Sequence, residues 1–170
     1  MESIKSKLTQ NEQIFFENIS QYIDKELYFY GSIKRTDYIK GKSDIDIDIF
    51  TENENSTMQK LCNFLNLKKS DFKRIIYKTN NLVIYGYKTK YKDGANRINV
   101  EISVYNEKYQ SLVLYDHNND IYLPFYITIA LFIVKTLYYN LGIISEKSYK
   151  RCKQFLMNPN DEMRFILVDN

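Results

Sequence analysis

The chain is short of the residues that build cross-links and soft-metal centres. Among its 170 residues are 2 cysteines, Cys62 and Cys152, and 1 histidine, His117. Two isolated cysteines and the lack of a secretory leader exclude a disulfide framework and lead us to expect a reduced, intracellular protein. No His/Cys cluster is present to hold zinc. With only 2 prolines and 44% hydrophobic residues, long disordered stretches are excluded and one domain with a real core is expected. The most apolar stretch, Ile121 to Val134, is shorter than a membrane span, is interrupted by Pro124 and runs into Lys135. It reads as a helix buried against a sheet, so no membrane role is expected. A formal net charge of +3 is too mild to signal nucleic-acid binding by itself. Abundant Tyr, Ile, Asn and Lys suit an AT-rich gene, and the expected location is the cytoplasm, that of the host if the gene is viral.

What is present is an unusual acidic strand. Residues Gly31 to Phe50 read GSIKRTDYIKGKSDIDIDIF. Asp44, Asp46 and Asp48 alternate with Ile45, Ile47 and Ile49, so one strand face is carboxylate and the other aliphatic. Like charges about 7 Å apart along a strand repel one another, and a bound cation relieves that repulsion. The aliphatic face implies packing on a core that holds the acids rigidly. Tyr28-Phe29-Tyr30 is a short β-type run ended by Gly31-Ser32. There glycine permits a tight turn and close ligand approach, while the Ser32 hydroxyl and nearby N–H groups suit phosphate oxygens. An EF-hand loop is excluded, because it needs glycine and polar residues where isoleucines stand. An accidental acidic edge strand and an inactive relative of a metal enzyme stay open.

These residues resemble the DNA polymerase β-type nucleotidyltransferase superfamily, whose pattern is a hydrophobic strand, Gly-Gly or Gly-Ser, a spacer and Ser-Asp-h-Asp-h. Here the matching positions are Gly31, Ser32, Ser43, Asp44, Ile45, Asp46 and Ile47. Arg35 falls where many members carry a basic residue, and Thr36 departs from the glycine that often follows. The resemblance also calls for a third carboxylate on a later strand. In RINVEISVY, residues 97–105, Glu101 is the only acid, alternating with an aliphatic row of Ile98, Val100, Ile102 and Val104. It takes that role, although the family often has Asp there. The resemblance implies an α/β fold, a mixed sheet flanked by helices. It also implies two Mg²⁺ or Mn²⁺ ions on Asp44, Asp46 and Glu101, and an NTP substrate gripped by Gly31, Ser32, Arg35 and Ser43. The acceptor is left open: a nucleic acid 3′ end, a tRNA, a protein hydroxyl or a small molecule. A catalytically silent binding or antitoxin-like module on the same fold is the alternative.

The chain divides into an expected core, residues 1–106, and a helical extension, residues 107–170, packed on it as one compact domain. In the extension, Lys135 followed by Ser148-Tyr149 loosely resembles poly(A) polymerases and terminal uridylyltransferases, which implies that these three residues contact the triphosphate. Asp48 reads as a hydrogen-bonded structural acid, with a supporting acid or a base or sugar contact as the other reading. Asn80-Asn81 and Asp93-Gly94 read as turns flanking a long strand. Lys88, Lys90 and Lys92 share a face of that strand opposite Tyr85, Tyr87 and Tyr91. The lysines read as edge-strand guards against sheet-to-sheet pairing, with a phosphate track as the other reading. Lys147, Lys150, Arg151 and Lys153 read as a solvated helix face, and His117 as a loop residue within Asp116 to Asp120.

Overall fold

The computed structural model describes residues 4–79, 82–119, 123–157 and 165–168, the last by backbone alone. Helices α1 (Ile4–Lys7) and α2 (Gln10–Ile23) lead into strand β1 (Tyr28–Tyr30) and a 3-10 turn, Gly31–Lys34. Strand β2 (Ile45–Thr51), helix α3 (Glu54–Leu65), the hairpin strands β3 (Lys73–Thr79) and β4 (Leu82–Asp93), and strand β5 (Ile98–Asn106) follow. Helices α4 (Gln110–Asn119), α5 (Phe125–Tyr139) and α6 (Glu146–Met157) precede strand β6 (Phe165–Val168). The sheet is mixed, in the order β1-β2-β5-β4-β3-β6, with β2 and β5 parallel and the other pairs antiparallel. This is the expected α/β sheet flanked by helices. Its C-terminal segment is not helical throughout, because β6 returns to pair with β3. No helix among the described residues is long and apolar enough to cross a membrane. The Asn80-Asn81 turn, Asp120 and the first two residues of the apolar run lie outside the described residues.

Alternation builds the centre of the molecule. Ile45, Ile47 and Ile49 of β2 stand beside Val100, Ile102 and Val104 of β5, all at 0% exposure. Each such side chain contributes about 1.5–3 kcal/mol of burial. This row packs on Phe16, Ile19 and Ile23 of α2 and Met58, Leu61 and Leu65 of α3. Local signals fix both helices: Thr9 and Glu12 form a capping box on α2, and Asn53 accepts from the Ser56 N–H on α3. Tyr87 and Tyr91 of β4 join this same side. The opposite sheet face carries a smaller cluster, Phe50, Ile75, Tyr77, Ile84, Tyr105 and Val113. Along β2 that face is buried at Phe50 and Asp48 and partly open at Asp46.

Two expectations change here. Strand β4 lies between β5 and β3, but β3 reaches only to Lys88, so Lys88 stands inside the sheet while Lys90 and Lys92 lie where β4 pairs with β5 alone. Helix α5 is not a buried core helix: Phe125 is 80% exposed, and Tyr126, Phe132 and Ile133 are also largely open. Only Leu131 and Lys135 of α5 are buried. A run that is apolar all round carries no amphipathic stripe to say which side will be covered.

Candidate active site

Register assembles the acids. Tyr30 pairs with Asp46 across the antiparallel β1–β2 pair, and Asp46 pairs with Glu101 across the parallel β2–β5 pair. Neighbours in one row share a face about 4.8 Å apart, so Asp46 sits between the Gly31 bend and Glu101. Asp44, just before β2, joins them: one carboxylate oxygen from each of Asp44, Asp46 and Glu101 lies within 4.8 Å of the others. Burial, then the negative charge of Asp44, pushes the Asp46 carboxyl up to about 7, against the pull of Lys153 and Lys88. Glu101 goes the other way. Burial would raise it, but Lys88 and Lys90 bring it down to about 2.

The residues fit a divalent ion. The three acids supply hard oxygen donors, the chemistry Mg²⁺ and Mn²⁺ prefer, and their mutual repulsion is relieved by a cation. Gly31 has φ +69°, and a Cβ there would lie 2.5 Å from Asp46 Oδ2, so only glycine leaves the carboxylate in place. The next residue, Ser32, is buried, and its Oγ makes no hydrogen bond among the described residues. A buried hydroxyl with no partner costs stability and is a donor ready for an incoming oxygen.

The loop between Ser32 and Asp44 is held by its own buried ions. Arg35 Nε lies 2.8 Å from Asp37 Oδ1, and Lys135 Nζ lies 2.8 Å from Asp37 Oδ2 and donates to the Asp37 carbonyl at 3.0 Å. Lys135 is 1% exposed. Burial works to raise the Asp37 carboxyl, but Arg35 and Lys135 lower it below the usual range. The charges of Arg35 and Lys135 are therefore spent on Asp37. Both act as ties that hold the loop against α5. Ser43 is also structural, its Oγ accepting from the Ile39 N–H at 3.1 Å. Lys7 donates to the Ile33 and Arg35 carbonyls at 2.9 and 3.0 Å, fixing the turn from outside.

Helix α6 brings one expected residue and one unexpected one. Tyr149 is buried, stacked on Tyr138 at 4.6 Å, and lies within electrostatic reach of Asp44. Ser148 points away into solvent and pairs its hydroxyl with Ser145 at 3.1 Å. Lys153 is not solvated as expected. Burial would lower its ammonium, yet Asp44, Asp46 and Glu101 raise it, so it is the cation that α6 extends towards the acids. Its i, i+4 spacing from Tyr149 was a visible signal that the two share a face.

His117 differs from expectation, while Asp48 takes the structural place read for it. His117 is a buried residue of α4, with Nδ1 2.9 Å from Asp48 Oδ2 and its ring stacked on Tyr30 at 4.1 Å. Asp48 is fully buried, and burial raises its carboxyl while His117 opposes that shift. The pair forms a floor beneath the open acids.

The family model described as "Nucleotidyltransferase domain" matches residues 12–107. The chain belongs to this family. The matched segment of this nucleotidyltransferase runs from α2 through β5 and contains the Gly31 bend and all three acids. Among solved structures, one titled "structure of GLD-2/RNP-8 complex" aligns with TM-score 0.40 and 10% identity, covering 87% of this chain and 55% of that one. This chain thus spans about half the length of that neighbour. No curated protein matches.

Proposed function

We propose that the protein moves a nucleoside monophosphate from an NTP to an acceptor hydroxyl and releases pyrophosphate, using two Mg²⁺ or Mn²⁺ ions. The observation that carries this reading is the convergence of Asp44, Asp46 and Glu101 within 4.8 Å beside the Gly31 bend. Asp44 and Asp46 would hold both ions, and Glu101 the one on the acceptor side. When bound, such ions polarise the phosphoryl oxygens and make the acceptor hydroxyl a better nucleophile. A bond forms between the acceptor oxygen and the α-phosphorus, and the bond from that phosphorus to the bridging oxygen of pyrophosphate breaks. Ser32 Oγ donates to the departing phosphates, and Gly31 keeps the Asp46 carboxylate unobstructed. Lys153 balances phosphate charge from α6, with Tyr149 packed next to it. The Arg35–Asp37–Lys135 tie holds the loop that ends in Ser43 and Asp44.

The acceptor in this reading is a nucleic acid 3′ end, a tRNA, a protein or a small molecule. The test is incubation with each α-labelled NTP, Mg²⁺ or Mn²⁺, and mixed RNA, DNA, protein and small-molecule acceptors. Metal-dependent label transfer that disappears in Asp44→Asn/Asp46→Asn, with the fold retained, is the expected result. No transfer to any acceptor, with biological activity unchanged in that double variant, would point to the silent binding module instead.

A further inference from the structure

Strand β4 supplies something the family resemblance did not imply: two lysines on the third carboxylate. Lys90 stands directly opposite Glu101 in the β4–β5 register, and Lys88 opposite Ser103, one row further along the same face. Lys90 Nζ contacts Glu101 Oε1, and Lys88 Nζ lies 2.7 Å from Oε2. Both oxygens of the acid proposed to hold the acceptor-side ion therefore already carry an ammonium. The two lysines are unequal. The Lys88 side chain is 18% exposed, whereas Lys90 is 63% exposed and can swing into solvent at little cost.

A carboxylate has lone pairs to spare for a metal, but a positive charge a few ångströms away opposes a second cation. We infer that Lys90 is an exchangeable counter-ion, which occupies Glu101 until an anionic phosphate arrives and then moves to that phosphate, leaving Glu101 to the metal. Lys88, more enclosed, stays and keeps the Glu101 carboxylate oriented. Metal and phosphate binding at this site are thereby coupled. The bare ion binds weakly because it must compete with Lys90, and it binds better once phosphate has drawn Lys90 away. Linkage requires the effect to be reciprocal. Lys92, two residues further along the same face of β4, pairs with Asn99 in the register and serves as the internal control. This inference rests on the proposed metal and triphosphate site.

The test is calorimetric titration of Mn²⁺ into the full chain, wild type and variants, without nucleotide, followed by titration of magnesium pyrophosphate into the Mg²⁺-saturated proteins. Lys90→Ala and Lys90→Met are expected to bind bare Mn²⁺ about fivefold more tightly than wild type, the effect of removing one charge at close range near solvent. They should bind magnesium pyrophosphate about fivefold more weakly, for the same electrostatic reason. Lys92→Ala should change neither. Unchanged or weaker Mn²⁺ binding in both Lys90 variants would overturn the exchange, provided wild type binds Mn²⁺ and Asp44→Asn/Asp46→Asn does not. Wild type that binds no Mn²⁺ through those aspartates would remove both this inference and the function it rests on.

Discussion

Asp46 and Asp48 sit two residues apart on one face of β2, and their surroundings could hardly differ more. Asp48 is sealed in, with His117 2.9 Å away and Tyr30 stacked over that imidazole. Asp46 has two other acids within ligand distance, with Lys88 and Lys153 acting on it electrostatically. The sealed acid has a polar partner from within the chain beside it, as buried polar groups must. Its open neighbour is left short of positive charge at the point where metal and phosphate would enter. An acidic row in a sequence is therefore not one site.

The largest expected effect tests the open end. Asp46→Asn or Asp44→Asn should lower metal-dependent transfer by about a thousandfold, since metal charge stabilisation is worth several kcal/mol and each tenfold costs about 1.4 kcal/mol. Both variants should melt no lower than wild type in metal-free buffer, because each removes a like-charge repulsion. The sealed end should behave in the opposite way. His117→Ala strands Asp48 in the interior and should cost about 3–5 kcal/mol in denaturant unfolding, and pairing it with Asp48→Asn should recover much of that loss. A His117→Ala variant as stable as wild type would erase the contrast between the two acids.

Gly31→Ala probes the boundary between them. Its left-handed backbone should cost about 1–2 kcal/mol, and the added Cβ must displace the Asp46 carboxylate. Mn²⁺ affinity should fall while the melting temperature drops only by a few degrees, at about 2–4 °C per kcal/mol. A pH dependence tests the same acid without a substitution. The Asp46 carboxyl is raised from 3.8 to about 7, so the folded state holds this proton more tightly than the unfolded chain. Its contribution to metal-free stability therefore falls as pH rises from about 4 to about 7. Glu101 is shifted down instead, from 4.5 to about 2, so its contribution is present above pH 4.5 and is lost only as pH falls towards 2. Thermal melts between pH 5 and 8 should isolate the Asp46 effect. It should vanish in Asp46→Asn and be reversed by Mg²⁺ at pH 8.

Much of the open end was legible in the sequence because it rests on local periodicity. Alternation in DIDIDIF and INVEISV put Asp46 and Glu101 opposite their aliphatic rows, and Gly31-Ser32 marked the bend. What stayed hidden depends on long-range packing. The tie of Arg35 and Lys135 to Asp37 was not visible, because nothing in the chain announces Asp37 as their shared partner, 98 residues from Lys135. His117 looked like a loop residue because its neighbours are polar, whereas its burial depends on Tyr30 and Tyr77 arriving from distant strands. The contact of Lys88 and Lys90 with Glu101 stayed hidden because strand order, and hence which strand lies beside β4, does not follow from alternation.

The in-register parallel pairing of β2 with β5 sets a parity rule for change in this protein. Successive side chains alternate sides, so gaining or losing a single residue within either strand turns the row inside out, driving Glu101 into the aliphatic layer and an isoleucine or valine towards the carboxylates. The Asp93–Asn96 bend lies outside that constraint. Length variation can accumulate in that connection while β2 and β5 keep count.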